Sequence, residues 1–252
     1  TGIFTTGIIS ESNDHTIALF YTGINHAGEN INDLLAKRAK ELSLPTQMCD
    51  AGSRNIPKDF KTILANCLTH GRRYFTDLFS NFPEECRFVI ETLTEVYKND
   101  EIAKNKKMSP ADRLKFHQEN SSSWMTKLKA WFNQQFDEKK IEPNSSMGHA
   151  ISYMLNHYEP LTLFLRVEGA PLDNNICERA LKKVILHRKN CLFFKTQNGA
   201  DIGDLFMSLI YTCNLNKVNP FDYLTTLQKN YSDLFKNPAR WLPWNYKQSV
   251  PP

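Results

Sequence analysis

The sequence predicts a mixed α/β fold that is interrupted by a long helical segment. Residues 3–22 contain two runs of β-branched and aromatic residues around a polar turn, which is typical of a β-hairpin. From about residue 82 to 157, apolar residues recur at helical spacing. The last third returns to a mixture of apolar runs, loops and helical patterns, so strands and helices are expected on both sides of the helical segment.

The composition is that of a globular protein with a small excess of basic residues. Of 252 residues, 41% are apolar, which is enough to bury a core, and the net charge of +4 permits a polyanionic partner without requiring one. The six cysteines are scattered singly without a CxxC pair. That pattern argues against a zinc ribbon or a disulfide framework and favours reduced thiols in a cytoplasmic protein. No stretch approaches the roughly 20 apolar residues of a membrane span, so we expect no membrane partner.

The hairpin and a helix are the first predicted elements. The hairpin covers residues 3–22 with its turn at 11–14. Ile31, Leu34 and Leu35 then repeat at helical spacing, in a helix expected to follow a cap at 25–30 and to end near residue 41. Because the chain opens directly into a strand without a methionine, we expect it to begin inside a longer protein.

Asp50 is the first candidate site residue. Residues 46–50 form a short strand candidate that ends on this carboxylate, just before the loop at 51–55. In α/β sheets, ligands usually bind at the carboxyl ends of strands, which makes Asp50 a candidate ligand. The alternative is a turn-capping aspartate, since Asp before Ala-Gly-Ser is ordinary loop chemistry.

Basic residues and a histidine follow a predicted helix at 58–64. Residues 67–75 mix strand formers with basic groups, among them His70, Arg72 and Arg73. Cys67 and His70 have the spacing of half a zinc site, but no second half lies at a suitable spacing. A buried histidine or a phosphate contact therefore remains the preferred interpretation of His70.

The helical segment is predicted to contain three helices. One begins at Pro83, and a second begins at Pro110 with Ser109 as its N-cap. The second carries a stripe from Leu114 to Gln135 at spacings of three and four, which fits either packing on neighbouring helices or a coiled-coil dimer seam. A third helix is expected around residues 151–157, and the whole segment is expected to form a helical subdomain.

Glu178 is the second candidate site residue. Asp173, Asn174 and Asn175 stand where a helix would begin, and Glu178 follows on its first turn. A carboxylate among bases is typical of a metal-assisted phosphate site, in which the acid holds a cation and the bases hold a phosphate backbone. The alternative is a capping box formed by Asn175 and Glu178. The bases on the same helix are Arg179, Lys182, Lys183, Arg188 and Lys189.

The remaining residues predict short elements and an irregular end. An extended segment is expected at 191–194, a turn at 196–199, a helix at about 201–213 and a short helix from 219. The tail at 236–252 contains prolines and tryptophans and is predicted to be irregular.

Several separated motifs together resemble the catalytic region of DDE transposases of the insertion-sequence-66 family, over nearly the whole chain. In order they are Phe4-Thr5-Thr6-Gly7-Ile8; Thr22-Gly23 with His26-Ala27-Gly28-Glu29-Asn30; Met48-Cys49-Asp50-Ala51; Cys67-x-x-His70-x-Arg72-Arg73; Asp173-Asn174-Asn175-x-x-Glu178-Arg179-x-Leu181; and Arg188-Lys189-Asn190. The resemblance implies an RNase H-like fold, a mixed sheet flanked by helices. It also implies three carboxylates that bind two Mg²⁺ or Mn²⁺ ions for cleavage and joining of DNA strands.

The resemblance implies roles for individual residues. Asp50 matches the second acid of the triad and Glu178 the third, both as catalytic residues and metal ligands. The first acid belongs on a strand upstream of the Thr5-Thr6-Gly7 strand, so the sheet is expected to lack its first strand and the chain alone to be inactive. The residues expected to contact DNA are His70, Arg72, Arg73, Asn174, Asn175, Arg179, Lys182, Lys183, Arg188 and Lys189.

The implied organisation is a divided catalytic core. Residues 1–81 and 159–235 are expected to form the two parts of the core, 82–158 an insertion before the last catalytic helix, and 236–252 the tail. Transposases commonly act as multimers, so the resemblance suggests a homo-oligomer with DNA as partner. Two other hypotheses stay open: a decayed remnant that binds DNA non-specifically, and a structural protein whose acids are only helix caps.

Overall fold

The computed structural model describes residues 2–12, 15–191 and 194–249 and divides the chain into two compact units. We name the first the hairpin unit; it comprises Thr1–Arg38, Ile56–Asp59 and Asn175–Pro252. The second is named the helical unit and comprises Ala39–Asn55 and Phe60–Asn174. Each unit has strands and helices, so the predicted mixed α/β class is confirmed.

Each unit contains a two-stranded sheet. The strands are β1 (Phe4–Ser12), β2 (His15–Gly23), β3 (Thr46–Cys49) and β4 (Ile63–Asn66). The helices are α1 (Ala27–Leu35), α2 (Leu68–Asp77), α3 (Pro83–Asn105), α4 (Pro110–Asn120), α5 (Ser122–Asp137), α6 (Ser146–Asn156), α7 (Tyr158–Leu161), α8 (Asn175–Asn190), α9 (Gln197–Leu215), α10 (Pro220–Lys229), α11 (Tyr231–Lys236) and α12 (Tyr246–Ser249). Short 3₁₀ turns occupy Ser53–Asn55, Leu163–Leu165 and Pro238–Trp241. Among the described residues, no helix is long and apolar enough to cross a membrane.

The hairpin predicted at the start of the chain is confirmed. β1 and β2 pair antiparallel from Phe4 opposite Gly23 to Ser12 opposite His15, and the turn between them lies outside the described residues. Helix α1 ends at Leu35 instead of near residue 41, so its predicted length was wrong. The backbone N–H of His26 donates to Glu29 Oε2 over 2.7 Å at its start, which is half of a capping box.

Side chains of α9 cover the outer edge of β2. Three polar residues of α9 and its C-cap residue, spaced four apart, accept hydrogen bonds from the backbone N–H groups of every second residue of the strand. The pairs are Thr22 with Asp204, Phe20 with Ser208 (3.0 Å), Ala18 with Thr212 (3.0 Å) and Thr16 with Asn216 (3.3 Å). One helical turn rises about as far as two strand residues, so the two periods match. The edge of β2 is therefore closed to another strand.

We expect Thr212→Val to lower the free energy of unfolding by about 1–3 kcal/mol, because the buried N–H of Ala18 loses its acceptor. Urea unfolding followed by circular dichroism measures the change. The matched control is Thr225→Val on α10, which should change stability by less than about 0.5 kcal/mol. Equal effects of the two substitutions would contradict the role of α9 as a cover for this edge.

The core of the hairpin unit lies between the hairpin and α8 and α9. Ala18 and Phe20 of the sheet pack with Ala180, Val184 and Tyr211 of the helices. The predicted turn at 196–199 is wrong, since Thr196 is the N-cap of α9 and its side chain accepts from Gly199 N over 3.1 Å. The extended segment predicted at 191–194 falls partly outside the described residues.

A second cluster in the hairpin unit packs the C-terminal helices. Cys213, Tyr223, Trp241 and Tyr246 are buried together, and the Tyr223 hydroxyl donates to the carbonyl of Trp241 over 2.8 Å. Aromatic side chains thus anchor the short helices after α10.

The sheet of the helical unit is a parallel pair. β3 and β4 align Thr46 with Ile63 and Cys49 with Asn66, and the connection between them contains no regular helix. One prediction is wrong here, since no regular helix forms at 58–64 and β4 begins at Ile63. The mixture of strand formers and basic groups at 67–75 lies at the N-cap of helix α2 and within that helix.

The helices of the helical unit enclose one large core around α2. Phe75 of α2 stacks on Phe132 of α5 with ring centroids 5.7 Å apart, and Leu93 and Met154 are fully buried beside them. The predicted N-cap is confirmed, since the Ser109 side chain accepts from Asp112 N at the start of α4. The large core shows that the predicted helical segment buries its own apolar faces.

The single helix predicted across residues 110–136 is broken at Ser121 into α4 and α5. The His117 ring bonds to the Ser121 hydroxyl over 2.9 Å, and the Asn99 amide donates to Asn120 O over 2.9 Å. These polar seam positions are buried: His117 is 1% exposed and Ser121 0%. The stripe therefore packs on neighbouring helices of its own unit, which favours the first of the two interpretations offered by the sequence.

Candidate functional site

Asp50 lies directly after β3, at the carboxyl end of the parallel pair. Its carboxylate oxygen Oδ1 accepts from the side-chain amide of Asn55 and from Gly52 N at 3.3 Å. These bonds are the turn-capping interaction that the sequence left open. No hydrogen bond or ion pair to Oδ2 is found among the described residues, so capping the turn leaves one carboxylate oxygen available for a ligand.

Asn66 ends the neighbouring strand at the same edge of this sheet. It pairs in register with Cys49, the residue before Asp50, and Cys67 N donates to Cys49 O over 2.9 Å. The Asn66 side chain is only 1% exposed, and its Oδ1 accepts no hydrogen bond within the described parts of the chain. A buried acceptor without a donor is unfavourable unless a ligand or water satisfies it. Asn66 was not among the predicted site residues.

Helix α2 begins at this edge and carries three predicted residues, His70, Arg72 and Arg73. His70 lies on its first turn, Arg72 is half-buried and Arg73 is exposed. The Nε atom of Arg72 is buried and has no hydrogen-bond acceptor in the portion of the chain that the structure describes. Part of the Arg72 guanidinium is thus still able to bind an anion.

Two tyrosines of the helical segment stand close to this edge. The Tyr97 hydroxyl of α3 bonds to the Thr69 hydroxyl over 2.8 Å, and burial raises the pKa of Tyr97 well above its usual value. Burial also raises the pKa of Tyr153 on α6 to about 12, with the neighbouring Tyr74 and the carboxylate of Asp50 adding to the rise. Both groups are neutral hydroxyls at physiological pH, and neither was identified from the sequence.

The segment before α8 is tied to the start of α2. Leu68 N donates to Leu172 O over 3.0 Å, and Asn174 N donates to the Cys67 sulfur over 3.3 Å. Burial is the main cause of the raised pKa of Tyr97, and the hydrogen bond with Thr69 opposes it. The negative charge of Asp173 raises this pKa further. Within the helical unit, the structure therefore brings Asn174 near the residues that follow β4.

Helix α8 belongs to the hairpin unit and packs on β1 through one narrow face. Cys177, Ala180 and Val184 are buried at a spacing of three and four, and the Cys177 thiol donates to Gly7 O over 3.1 Å. Gly7 permits this close approach, because a Cβ there would lie 3.5 Å from Leu181 Cβ and 3.3 Å from the Phe20 ring. The face fixes the rotation of α8 about its axis.

Glu178 lies on the first turn of α8, at the border between its buried and exposed faces. It is half-buried, one residue away from Cys177 on the packed side. Because α8 begins at Asn175, Glu178 is the fourth residue of the helix. The capping box between Asn175 and Glu178 stays a prediction.

Four of the predicted basic residues lie on the solvent face of α8. Arg179, Lys182, Lys183 and Lys189 are exposed, and Lys183 Nζ is 5.5 Å from the centre of the Tyr211 ring. Arg188 differs, since it is half-buried and its Nη1 donates to Thr5 Oγ1 over 2.6 Å. Part of the Arg188 side chain thus holds α8 against β1, whereas the other four present their charges to solvent.

A third carboxylate, Asp204 of α9, is buried and was not identified from the sequence. Burial raises the pKa of Asp204, and the hydrogen bonds from the Thr22 hydroxyl (2.9 Å) and backbone N–H oppose that rise. Both of its oxygens are occupied by Thr22, so we assign it to the cover of β2. The signal available in the sequence was the spacing of four between the polar residues of α9.

The donor atoms of the predicted ligands suit a hard cation. Asp50 Oδ2 and Asn66 Oδ1 are oxygens without hydrogen-bond donors in the described structure, and Glu178 offers a further carboxylate in the hairpin unit. Mg²⁺ and Mn²⁺ prefer carboxylate and carbonyl oxygens, so the residues fit these ions. The six cysteines are free thiols.

Comparison with known proteins identifies relatives over most of the chain. Residues 8–202 match the family described as "Transposase IS66 family". Among curated proteins of Sinorhizobium fredii, the uncharacterized protein y4jD is 32% identical over 73% of this chain and 36% of its own length. The uncharacterized protein y4qI is 30% identical over 73% of this chain and 34% of its own. The chain thus spans about a third of the length of these relatives. No solved structure matches the chain significantly.

Proposed function

This chain belongs to the IS66 family of transposases, and from that premise we propose that it is part of the catalytic core of a DNA transposase, which cleaves and joins DNA strands with Mg²⁺ or Mn²⁺ ions. The observation that carries the proposal is the position of Asp50. Asp50 follows β3 at the carboxyl end of the parallel pair, and Asn55 and Gly52 orient one oxygen of its carboxylate. The other oxygen remains available for a metal ion.

We propose an RNase H-like fold for the complete core. An antiparallel hairpin and a parallel pair support it, since a mixed sheet needs both kinds of pairing. The outer edge of β2 is covered by α9, and at the outer edge of β1 Gly7 O accepts from the Cys177 thiol of α8, so both edges of the hairpin carry contacts from helices. In this proposal, residues 82–158 are the helical insertion, and the strand that carries the first acid precedes Thr5-Thr6-Gly7 in the whole protein.

Asp50 and Glu178 are proposed as the second and third metal ligands. When bound, a pair of divalent ions activates the attacking oxygen and stabilises the leaving oxygen of a phosphodiester. The packed face of α8 holds Glu178 in one orientation, and the bonds from Asn55 and Gly52 do the same for Asp50. Fixed carboxylates need no reorganisation when the ions bind, which favours reaction over loose binding.

Basic residues are proposed to hold the DNA backbone. Arg72 and Arg73 of α2 and the solvent face of α8 supply cations on helices that also carry or follow the proposed ligands. His70, Asn174, Asn175 and Arg188 remain proposed DNA contacts, although Arg188 also bonds to Thr5. Contacts of this kind bind DNA of any sequence, so the proposed partner is the transposon DNA and its target without a specified site.

We expect the triple variant Arg179→Ala, Lys182→Ala, Lys189→Ala to weaken DNA binding and to reduce its dependence on salt. Each lost phosphate contact lowers the slope of log affinity against log salt by about 0.9, so three contacts lower it by roughly 2–3. Fluorescence anisotropy with a duplex at several salt concentrations measures the slope. The matched control replaces the exposed Lys98, Lys106 and Lys115 of the helical unit by Ala. A slope equal to that of the control would reject the role of α8.

The alternative function is DNA binding without chemistry. The exposed basic face of α8 favours it, because that face requires no metal ion. The decisive experiment is a strand-transfer assay of the full-length protein with Mg²⁺ or Mn²⁺, compared with its Asp50→Asn and Glu178→Gln variants. Equal activity in all three proteins would reject the proposed catalytic roles, and strand transfer lost only in the variants would reject the alternative.

We further propose that the whole protein acts in the cytoplasm as a homo-oligomer. The six free thiols support a reducing compartment. Oligomer formation rests on the family alone, and sedimentation of the full-length protein with and without DNA tests it.

A further inference from the structure

The hairpin unit contains a small pocket. It has a volume of about 220 Å³ and is lined in part by Thr22 at the end of β2, Arg188 near the end of α8, and Phe194, Lys195 and Gln197 at the start of α9. Pockets that enclose drug-sized ligands measure about 300–1,000 Å³, so this one suits a single planar group. None of Asp50, Glu178 or Asn66 lines it.

The aromatic wall of the pocket is set by a glycine of α9. A Cβ at Gly203 would lie 2.5 Å from the Phe194 ring, and a Cβ at Gly199 would lie 4.0 Å from it. A side chain at position 203 would thus push the ring away from the helix. The half-buried ring contacts α9 with its tip and lines the pocket, and an aromatic side chain that lines a pocket can stack on a base.

Two cations stand at the same pocket. Arg188 is oriented by its bond to Thr5 Oγ1, and Lys195 is exposed. Two carboxylates of α9 are held by other groups: both oxygens of Asp204 accept from Thr22, and Asp201 Oδ1 accepts from Gln197 over 2.8 Å. The charge of Arg188 still acts on Asp204 and opposes the rise of its pKa. The two cations therefore favour an anionic group next to the ring.

The side-chain amide of Gln197 is oriented by two hydrogen bonds that its nitrogen donates. Its Nε2 donates to Thr22 O and to Asp201 Oδ1, each over 2.8 Å. Its Oε1 accepts no hydrogen bond among the described residues, so it presents one oriented acceptor at the pocket. These groups together fit one nucleotide. The acceptor fits an N–H donor on the edge of the base, the aromatic ring fits the face of the base, and the two cations fit the phosphate.

We propose that this pocket binds one unpaired nucleotide of the DNA, with its base on Phe194, a base donor on Gln197 and its phosphate on Arg188 and Lys195. The inference rests on the proposed function, because it names a part of the same substrate. A paired base is excluded from the stacking position by its partner strand, so the nucleotide must lie in a single-stranded end or be turned out of the duplex.

The test compares a blunt duplex with the same duplex carrying a three-nucleotide single-stranded overhang, by fluorescence anisotropy with the full-length protein. We expect the overhang to raise affinity about tenfold, as one stacked base typically does. Phe194→Ala and Gly203→Ala should remove this gain while blunt-duplex affinity stays within about twofold, and Phe194→Trp should retain it. Phe235→Ala is the matched control, since Phe235 is an exposed aromatic of the same unit at 82% exposure.

The outcomes separate this inference from the proposed function. An equal affinity of the unaltered protein for both duplexes, or an overhang gain that survives Phe194→Ala, would overturn the pocket proposal whatever the catalytic result. A loss of blunt-duplex affinity equal to the loss of overhang affinity would also overturn it, because it would show a general loss of the folded surface. An overhang gain without metal-dependent strand transfer would instead reject the proposed function and leave the pocket supported.

Discussion

Replacing Glu178 by Gln, or Asp50 by Asn, in the full-length protein is expected to lower strand transfer by roughly a thousandfold, because several kcal/mol of metal-borne charge stabilisation is lost. Duplex affinity without divalent ions should stay within about threefold, since both substitutions leave the basic residues in place. A gel assay of joined products at saturating Mg²⁺ measures the rate, and anisotropy measures binding.

The Asn substitution at position 50 separates the two interpretations of that residue. An asparagine oxygen can still accept from Gly52 N and Asn55, as Asp50 Oδ1 does. If Asp50 only caps the turn, Asp50→Asn should retain nearly full strand transfer. If it holds a metal ion, the loss of charge removes activity although the turn is kept.

A change of metal tests ligation directly. Thiolates favour softer ions than Mg²⁺, so Asp50→Cys should be inactive with Mg²⁺ and partly restored by Mn²⁺. The matched controls are Asp77→Asn on α2 and Glu91→Gln on α3, both exposed acids of the helical unit. They should keep activity within about twofold of the unaltered protein. Identical metal dependence of Asp50→Cys and the unaltered protein would contradict ligation.

Local signals predicted the elements whose ends are set by their own residues. The hairpin, the proline at the start of α3 and the Ser109 cap of α4 need no distant partner. β4 is different, because its four residues form a strand only by pairing with β3, which lies on the other side of a loop in the sequence. The break at Ser121 likewise depends on partners in α3. The sequence does not show this break, because the helical spacing of apolar residues continues through Ser121.

The candidate site divides in the same way. Asp50 and Glu178 could be selected because an acid after a strand and an acid on a first helical turn are visible in the sequence. Asn66 and Tyr153 could not, since their importance comes from burial beside residues that the chain order does not reveal. The sequence also does not show which basic residues of α8 are exposed and which are hydrogen-bonded. Arg188 differs from Lys189 through its contact with Thr5, which only the structure shows.

Asp100→Asn is expected to destabilise the helical unit by about 3–5 kcal/mol, because it removes the buried charge that pairs with Arg113 and Lys104. Asp100 is 2% exposed and lies 2.8 Å from Arg113 Nη2, 2.6 Å from Lys104 Nζ and 3.3 Å from His117 Nε2. Arg113 also donates to Ala170 O over 3.2 Å, so the network links α3, α4 and the segment before α8. Urea unfolding, with hydrogen exchange of α3 to α5 to locate the loss, measures the effect.

The pH dependence of this network has a defined sign. Burial alone would raise the pKa of Asp100, but hydrogen bonds from His117 and Lys104 and the charge of Arg113 hold it well below its usual range. The folded protein therefore binds the proton of Asp100 more weakly than the unfolded chain does. The stabilisation is complete above the unfolded pKa, near 3.8, and is lost as pH falls below it toward the folded pKa.

Comparison of variants isolates this contribution from that of other acids. Below about pH 4 the difference in stability between the unaltered protein and Asp100→Asn should shrink, since protonation makes the two residues alike in charge. Glu101→Gln, an exposed neighbour on the same helix, should change stability by less than about 0.5 kcal/mol at any pH. A difference for Asp100→Asn that stays constant from pH 7 to pH 3 would mean that shape, not charge, makes Asp100 important. His117 contacts both Asp100 and Ser121 at the break between α4 and α5, so that break would then also be explained by packing and not by charge.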